Sequence, residues 1–85
     1  MNFEIGTLVC SKAGHDKGQL FVVVKEDKNN LYLSDGKNKT VEYPKKKNKK
    51  HVQIIHKKLD LSQIEKDTVQ TKDEAICDFI RYQSE

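Results

Sequence analysis

The chain has 85 residues, 16 Lys+Arg against 13 Asp+Glu, two Cys, one Pro and no Trp. At roughly 100–200 residues per domain there is room for one small domain, which excludes large cofactor-binding enzymes and leaves little depth for a buried catalytic cavity. Leu, Ile, Val and Phe supply 22 of the 85 residues, above the level of roughly 20% under which chains stay disordered, so a fold with a thin core is expected.

The first 56 residues read as five short strands punctuated by turns. Residues 5–12 carry Leu8-Val9-Cys10 and end at Ala13-Gly14. Residues 18–26 contain Leu20-Phe21-Val22-Val23-Val24, β-branched and aromatic types that suit a pleated surface. Residues 31–34 and 39–43 flank Asp35-Gly36, a tight-hairpin signal because Gly accepts positive φ at no steric cost. Pro44 lacks an amide donor and is expected to end the fourth strand. Residues 51–55 make the fifth. The expected fold class is mainly β: a small five-stranded barrel, which removes most exposed sheet edge. Leu20, Val22 and Val24 share one face of their strand, and Phe21 and Val23 the other. Two apolar faces require that something cover the outside.

The tail supplies a cover. Thr71-Lys72-Asp73-Glu74 fits a capping box, in which hydroxyl and carboxylate satisfy the first free amides of a helix. Behind it, Ala75, Ile76, Phe79 and Ile80 form an apolar stripe at helical spacing. Upstream, residues 59–66 hold Leu61 and Ile64 three apart, with Asp60 as the cap of a short helical turn. The C-terminal helix is expected to pack on the barrel through Ile76 and Phe79; a helix exposed for a partner is the alternative. The chain thus divides into a barrel over residues 1–58 and an acidic helical extension over 59–85.

Net charge follows the same division. Residues 1–58 hold 13 Lys against 6 acids, net +7, and residues 59–85 hold 3 Lys+Arg against 7 acids, net −4. From Pro44 to Lys58 there are seven lysines, two histidines and no acid. Like charges this dense repel, so the run Pro44-Lys45-Lys46-Lys47-Asn48-Lys49-Lys50-His51 is expected to be an extended, mobile loop held at both ends. A solvated loop that aids solubility is the bland reading. Against it, the charge has no acid nearby in sequence, and Lys12, Lys17, Lys37 and Lys39 flank turns of the same small barrel. A polyanion fits such a surface, because each Lys that neutralises a phosphate releases a condensed counterion. Four to six such contacts give a log–log salt slope of about −3 to −5. The only Arg is Arg81, in the acidic tail, and of the aromatics only Tyr32 and Tyr43 fall near the lysines. Bidentate base reading and extensive stacking are therefore not expected, whereas recognition of structured RNA by shape and phosphate is.

No catalytic constellation stands beside this. His15-Asp16 are adjacent, and neighbours rarely align as a base and its orienter. His51 and His56, five apart on one strand, point to opposite faces and make no metal pair. Gly14 and Gly18 lack the Gly-Lys-Ser/Thr ending of a P-loop. The tail acids read as a solvated face. Cys10 and Cys77 read as reduced, core-filling thiols. The N-terminus has no positively charged leader pattern, and the longest apolar run is Leu20 to Val24, too short for a membrane span. The expectation is a cytoplasmic, monomeric non-enzyme without cofactor or metal.

Ala13-Gly14-His15-Asp16-Lys17-Gly18-Gln19-Leu20-Phe21-Val22-Val23-Val24 resembles a KOW motif: a glycine-containing loop, a pivotal glycine (Gly18), then an apolar strand. With Asp35-Gly36 and the lysine run following in order, residues 4–56 resemble the small bacterial KOW-domain RNA-binding proteins. Those are similar to the KOW-type large-subunit ribosomal proteins of archaea and eukaryotes. The resemblance implies an SH3-like barrel, association with ribosomal RNA and the ribosome, and RNA contact by His15, Asp16 and Lys17 and by the Lys45-to-His51 segment. Together with the residues read from charge, the candidate RNA-binding set is Lys12, Gly14, His15, Asp16, Lys17, Lys37, Lys39, Lys45, Lys46, Lys47, Asn48, Lys49, Lys50 and His51. Ribosomal proteins are further candidate partners. KOW barrels also occur in transcription factors, where some bind protein. The alternative is therefore an adaptor of the translation or transcription machinery that docks through the C-terminal helix; a DNA-binding protein is a third reading.

Overall fold

The computed structural model describes residues 3–64 and 71–84. Five antiparallel strands form one sheet in the order β4-β3-β2-β1-β5: β1 Thr7–Ser11, β2 Leu20–Glu26, β3 Asn30–Ser34, β4 Lys45–Asn48 and β5 Val52–Lys58. A 3-10 turn, Lys49–His51, joins the two edge strands, and two helices follow, α1 Leu61–Ile64 and α2 Lys72–Ser84. The expected mainly β domain with a C-terminal helix is present. Its sheet is open rather than closed, since β4 and β5 share no ladder among the described residues.

Period-two alternation sorts the strand side chains onto two faces. Val9, Phe21, Val23, Leu31, Leu33 and Val52 join Phe3 in the concave interior. Leu8 and Val22 point the other way and pack with Leu61 of α1 and Ile76 of α2, flanked by Leu20, Val24, Val41, Phe79 and Ile80. The two-faced β2 strand therefore sits between two cores, and the helix is the expected cover. Ile76 is completely buried, a burial worth about 1.5–3 kcal/mol relative to exposure.

Local chemistry starts both helices. Glu74 N–H donates to Thr71 Oγ1 at 3.1 Å while Thr71 N–H reaches Glu74 Oε1 at 3.2 Å, the reciprocal capping box. Asp60 Oδ1 caps α1 by accepting Ser62 N–H at 3.1 Å. The remainder of the expected 59–66 turn, and Glu65 and Asp67 of the acidic face, lie outside the described residues. No helix among the described residues is long and apolar enough to cross a membrane.

The fourth strand departs from expectation. Residues 39–43 are not a strand, and β4 lies in the lysine run itself. Asp35-Gly36 does open a turn, with Gly36 at φ +79°, but the turn spans residues 35–39. Asp35 Oδ1 accepts the N–H groups of Lys37, Asn38 and Lys39 at 2.9–3.0 Å. The chain then crosses toward α2, where Val41 N–H donates to Asp73 Oδ1 at 2.8 Å. A donor engaged by a helix carboxylate is lost to a ladder, so residues 39–43 cannot pair as predicted. Gly36 is also required sterically: a Cβ there would stand 2.2 Å from the Asp73 carbonyl oxygen.

Candidate nucleic-acid interface

Pro44 precedes the lysine strand instead of ending the one before it, a position where its missing N–H costs the ladder nothing. Edge strands tolerate lysine, which guards against pairing with other chains. The β3–β4 register decides what each lysine does. Lys45 lies opposite Leu33 and Lys47 opposite Leu31, so both share the interior face with core leucines. Lys46 lies opposite Tyr32, on the outer face, and is exposed.

The two inward lysines converge on Asp16, in the loop between β1 and β2. Lys47 Nζ donates to Asp16 Oδ1 at 2.7 Å and to the Ala13 carbonyl at 2.8 Å. Lys45 Nζ lies 2.5 Å from Asp16 Oδ2, an ionic contact without hydrogen-bond alignment, since that buried oxygen has no aligned donor. Ser11 Oγ stands 2.7 Å from Oδ1 as a further donor. The Asp16 side chain is 9% exposed and that of Lys47 11%. Burial alone would raise the Asp16 pKa; the Lys45 and Lys47 ammoniums and the Ser11 hydroxyl outweigh it and hold the carboxyl well below the usual range. Lys49 is engaged likewise, at 2.8 Å from Glu26, and its ammonium, followed by the Phe3 N–H, lowers the Glu26 pKa.

The expectation of a mobile, uncompensated lysine loop is thereby corrected. Asp16 and Glu26 neutralise alternate lysines from far away in the sequence, and ion pairs bring the open side of β4 to the β1–β2 loop. Asp16 and Lys47 are largely buried, Lys49 is paired with Glu26, and Lys45 is paired with Asp16 while about a third of its side chain stays exposed. Asn48, another candidate, caps the 3-10 turn by accepting Lys50 N–H at 2.9 Å.

The remaining candidates lie in or beside the β1–β2 loop, except Lys46, which faces the β2–β3 turn. Lys12, Gly14, His15, Lys17, Lys37, Lys39, Lys46, Lys50 and His51 are all exposed. Lys12, Lys17, Lys37, Lys39 and Lys50 form no salt bridge among the described residues. Lys46 acts on Asp27, whose pKa is lowered chiefly by the Asn30 N–H, then by the Asn29 N–H, the Tyr32 hydroxyl and the Lys46 charge. Three ties from residues 12–19 draw the basic segments together. Lys12 N–H donates to the His51 carbonyl at 2.8 Å, Asp16 holds β4, and Gln19 Nε2 donates to Asp35 Oδ2 at 2.9 Å. Ser11, Gln19 and Glu26, which organise this surface, are absent from the sequence-derived set, because a polar residue's long-range partner leaves no local pattern.

The aromatic inventory is equally spare. Lys25 Nζ sits 5.2 Å from the centre of the Tyr32 ring and covers it. Tyr43 is 74% exposed just before the lysine strand. Both cysteines are free and half-buried.

No protein-family model matches this sequence, and no curated protein matches it either.

Proposed function

We propose that the protein is a non-catalytic RNA-binding module that grips the phosphate backbone of structured RNA, ribosomal RNA foremost. The observation that carries this reading is the set of exposed lysines (Lys12, Lys17, Lys37, Lys39 and Lys50) on segments that the three ties hold to one loop. These cations are point charges with flexible stems, suited to phosphates rather than to base edges. The backbone beneath them is held by those ties, which lowers the cost of ordering it when phosphates arrive. The KOW-like order of glycine loop, apolar strand and lysine segment supports ribosomal RNA as the target class. The adaptor reading has less to stand on, because the apolar stripe of α2 is already packed on its own sheet.

The test reverses charge only where the fold does not use it. Lys12→Glu, Lys17→Glu, Lys39→Glu and Lys50→Glu combined should abolish cosedimentation with ribosomes and filter binding of folded ribosomal RNA, with the melting temperature unchanged. Retention of RNA at physiological salt by this variant overturns the assignment. Equal competition by duplex DNA would instead favour the DNA-binding reading.

A further inference from the structure

A cleft of about 560 Å3 opens beside the basic loop, walled by Gly18, Gln19, Leu20, Asp35 and Lys37 on the sheet side and by Cys77, Ile80 and Arg81 on α2. That volume falls within the roughly 300–1,000 Å3 of small-ligand clefts. From it we infer that the cleft receives a single unpaired nucleobase of the bound RNA. The inference rests on the RNA-binding reading above and extends it from the backbone to one base.

Three features of the cleft match that occupant. Its floor is apolar, because Leu20 and Ile80 are half-buried members of the outer core; a base face can lie on such a surface without regard to sequence. Its polar edge is fixed. Asp35 Oδ1 is held by three backbone N–H groups, and Oδ2 accepts Gln19 Nε2. The second Gln19 Nε2–H, the side-chain oxygen Oε1 of Gln19 and the outer lone pair of Asp35 Oδ2 remain to meet the hydrogen-bonding edge of a base. Its rim carries the Lys37 ammonium, which complements a nucleotide's phosphate, and Arg81, whose guanidinium is paired with Asp78 at 2.6 Å. Gly18 lines the cleft with backbone alone, and its φ of +89° favours glycine at that point.

Position distinguishes a base of bound RNA from a free metabolite. A second, smaller cavity of about 150 Å3 lies among Asp16, Lys39 and Lys45, and it shares Gln19 and Asp35 as a wall with the first. The Gln19–Asp35 pair is thus a ridge between the lysine-lined side and the apolar cleft. A strand whose phosphates follow Lys17 and Lys39 can turn one unstacked base across that ridge. A bulge presents such a base at little cost, whereas a paired base would first have to be unstacked.

Two RNA hairpins with the same stem, one fully paired and one with a single bulged adenosine, test the inference on the intact protein at physiological salt. The bulged hairpin is expected to bind about tenfold more tightly, a gain that burying one base face on aliphatic side chains can supply. It should also slow alkylation of Cys77, resolved from Cys10 by peptide mass, while the paired hairpin leaves that rate unchanged. Gln19→Ala should bring the two affinities together. Equal affinities with Cys77 equally reactive overturn the base cleft and leave the phosphate grip standing. A bulge preference that persists in Gln19→Ala without Cys77 protection places the base elsewhere and overturns it too. Failure of both hairpins to bind removes the RNA reading and this inference together.

Discussion

Adjacent lysines in one short strand have opposite fates. Lys45 and Lys47 turn inward beside Leu33 and Leu31 and converge on Asp16. Lys46, between them, lies on the outer face and is exposed. Strand pleating therefore divides a uniform basic run into cations that hold the fold and cations available to a partner. A charge run cannot be read as a sum; its period against the register of the strand decides how much of it reaches solvent. The inward pair also explains how an open sheet keeps its unpaired side in place. Ion pairs and one lysine-to-carbonyl bond tie β4 to the β1–β2 loop although β4 shares no ladder with β5.

Removing Asp16 breaks that division most severely. Asp16→Asn leaves two inward ammoniums around a neutral amide, and loss of one partner from a buried ionic cluster costs about 3 kcal/mol. Urea denaturation should show this as a lower midpoint with unchanged slope. A purely additive view of charge predicts the contrary for RNA, namely tighter binding once a negative charge is gone. If the loop is pinned by Asp16, binding weakens instead. Acid should erase the difference between the two proteins. The Asp16 pKa is lowered in the folded state, so its contribution is fully present above the unfolded value of about 3.9 and is lost as pH falls through the folded value. Wild type and variant should therefore differ by a constant amount above about pH 4–5 and converge progressively as pH falls below it. A gap that persists undiminished into strong acid would show that Asp16 acts by packing alone.

The next largest effect sets neighbouring lysines against each other. Lys47→Met keeps an apolar stem against Leu31 but strips Asp16 and the Ala13 carbonyl of their shared donor. Charge-assisted hydrogen bonds contribute about 1.5–3 kcal/mol, so a loss of about 2 kcal/mol is expected. Lys46→Met should change stability by less than about 0.5 kcal/mol, as surface substitutions usually do. Paired denaturation curves for the two variants give the answer; equal stability losses would erase the inward–outward distinction.

What the sequence showed of this arrangement was whatever depended on near neighbours. The doubled apolar faces of residues 20–24 implied an outer cover, and Ile76 and Phe79 of α2 provide it. Thr71 and Glu74 marked the start of that helix, and Asp60 the turn before it. The lysine strand was hidden because lysine has weak β propensity and the run repels itself in isolation. What makes it a strand is Asp16, Glu26 and the core leucines of β3, none of them nearby in sequence. The same distance conceals the loss of residues 39–43 as a strand, since Asp73 takes the Val41 amide across 32 residues. For the candidate site, exposed members such as Lys12, Lys17 and Lys50 could be read from charge alone. The role of Asp16 could not: a carboxylate in a glycine loop looks the same in sequence whether it faces solvent or holds two lysines.

The smallest effect probes the outward side alone. Lys50 is exposed, forms no salt bridge among the described residues, and stands at the 3-10 turn beyond the inward pairs. Its ammonium is already hydrated in the free protein, so Lys50→Ala should leave the denaturation curve within about 0.5 kcal/mol of wild type. If it neutralises one phosphate, its loss removes one counterion's release and makes the log–log salt slope shallower by about 0.7–0.9. The affinity change itself should be modest and should shrink as salt rises, because release is worth most in dilute salt. The inward lysines supply the contrast. A substitution at Lys47 acts on RNA through the folded fraction and through the set of the loop, and neither of these carries one counterion's salt dependence. Slopes measured on Lys50→Ala and on the folded fraction of Lys47→Met therefore separate a cation that meets phosphate from one that holds the frame. An unchanged slope in Lys50→Ala would move the phosphate path away from the 3-10 turn and toward Lys37 and Lys39.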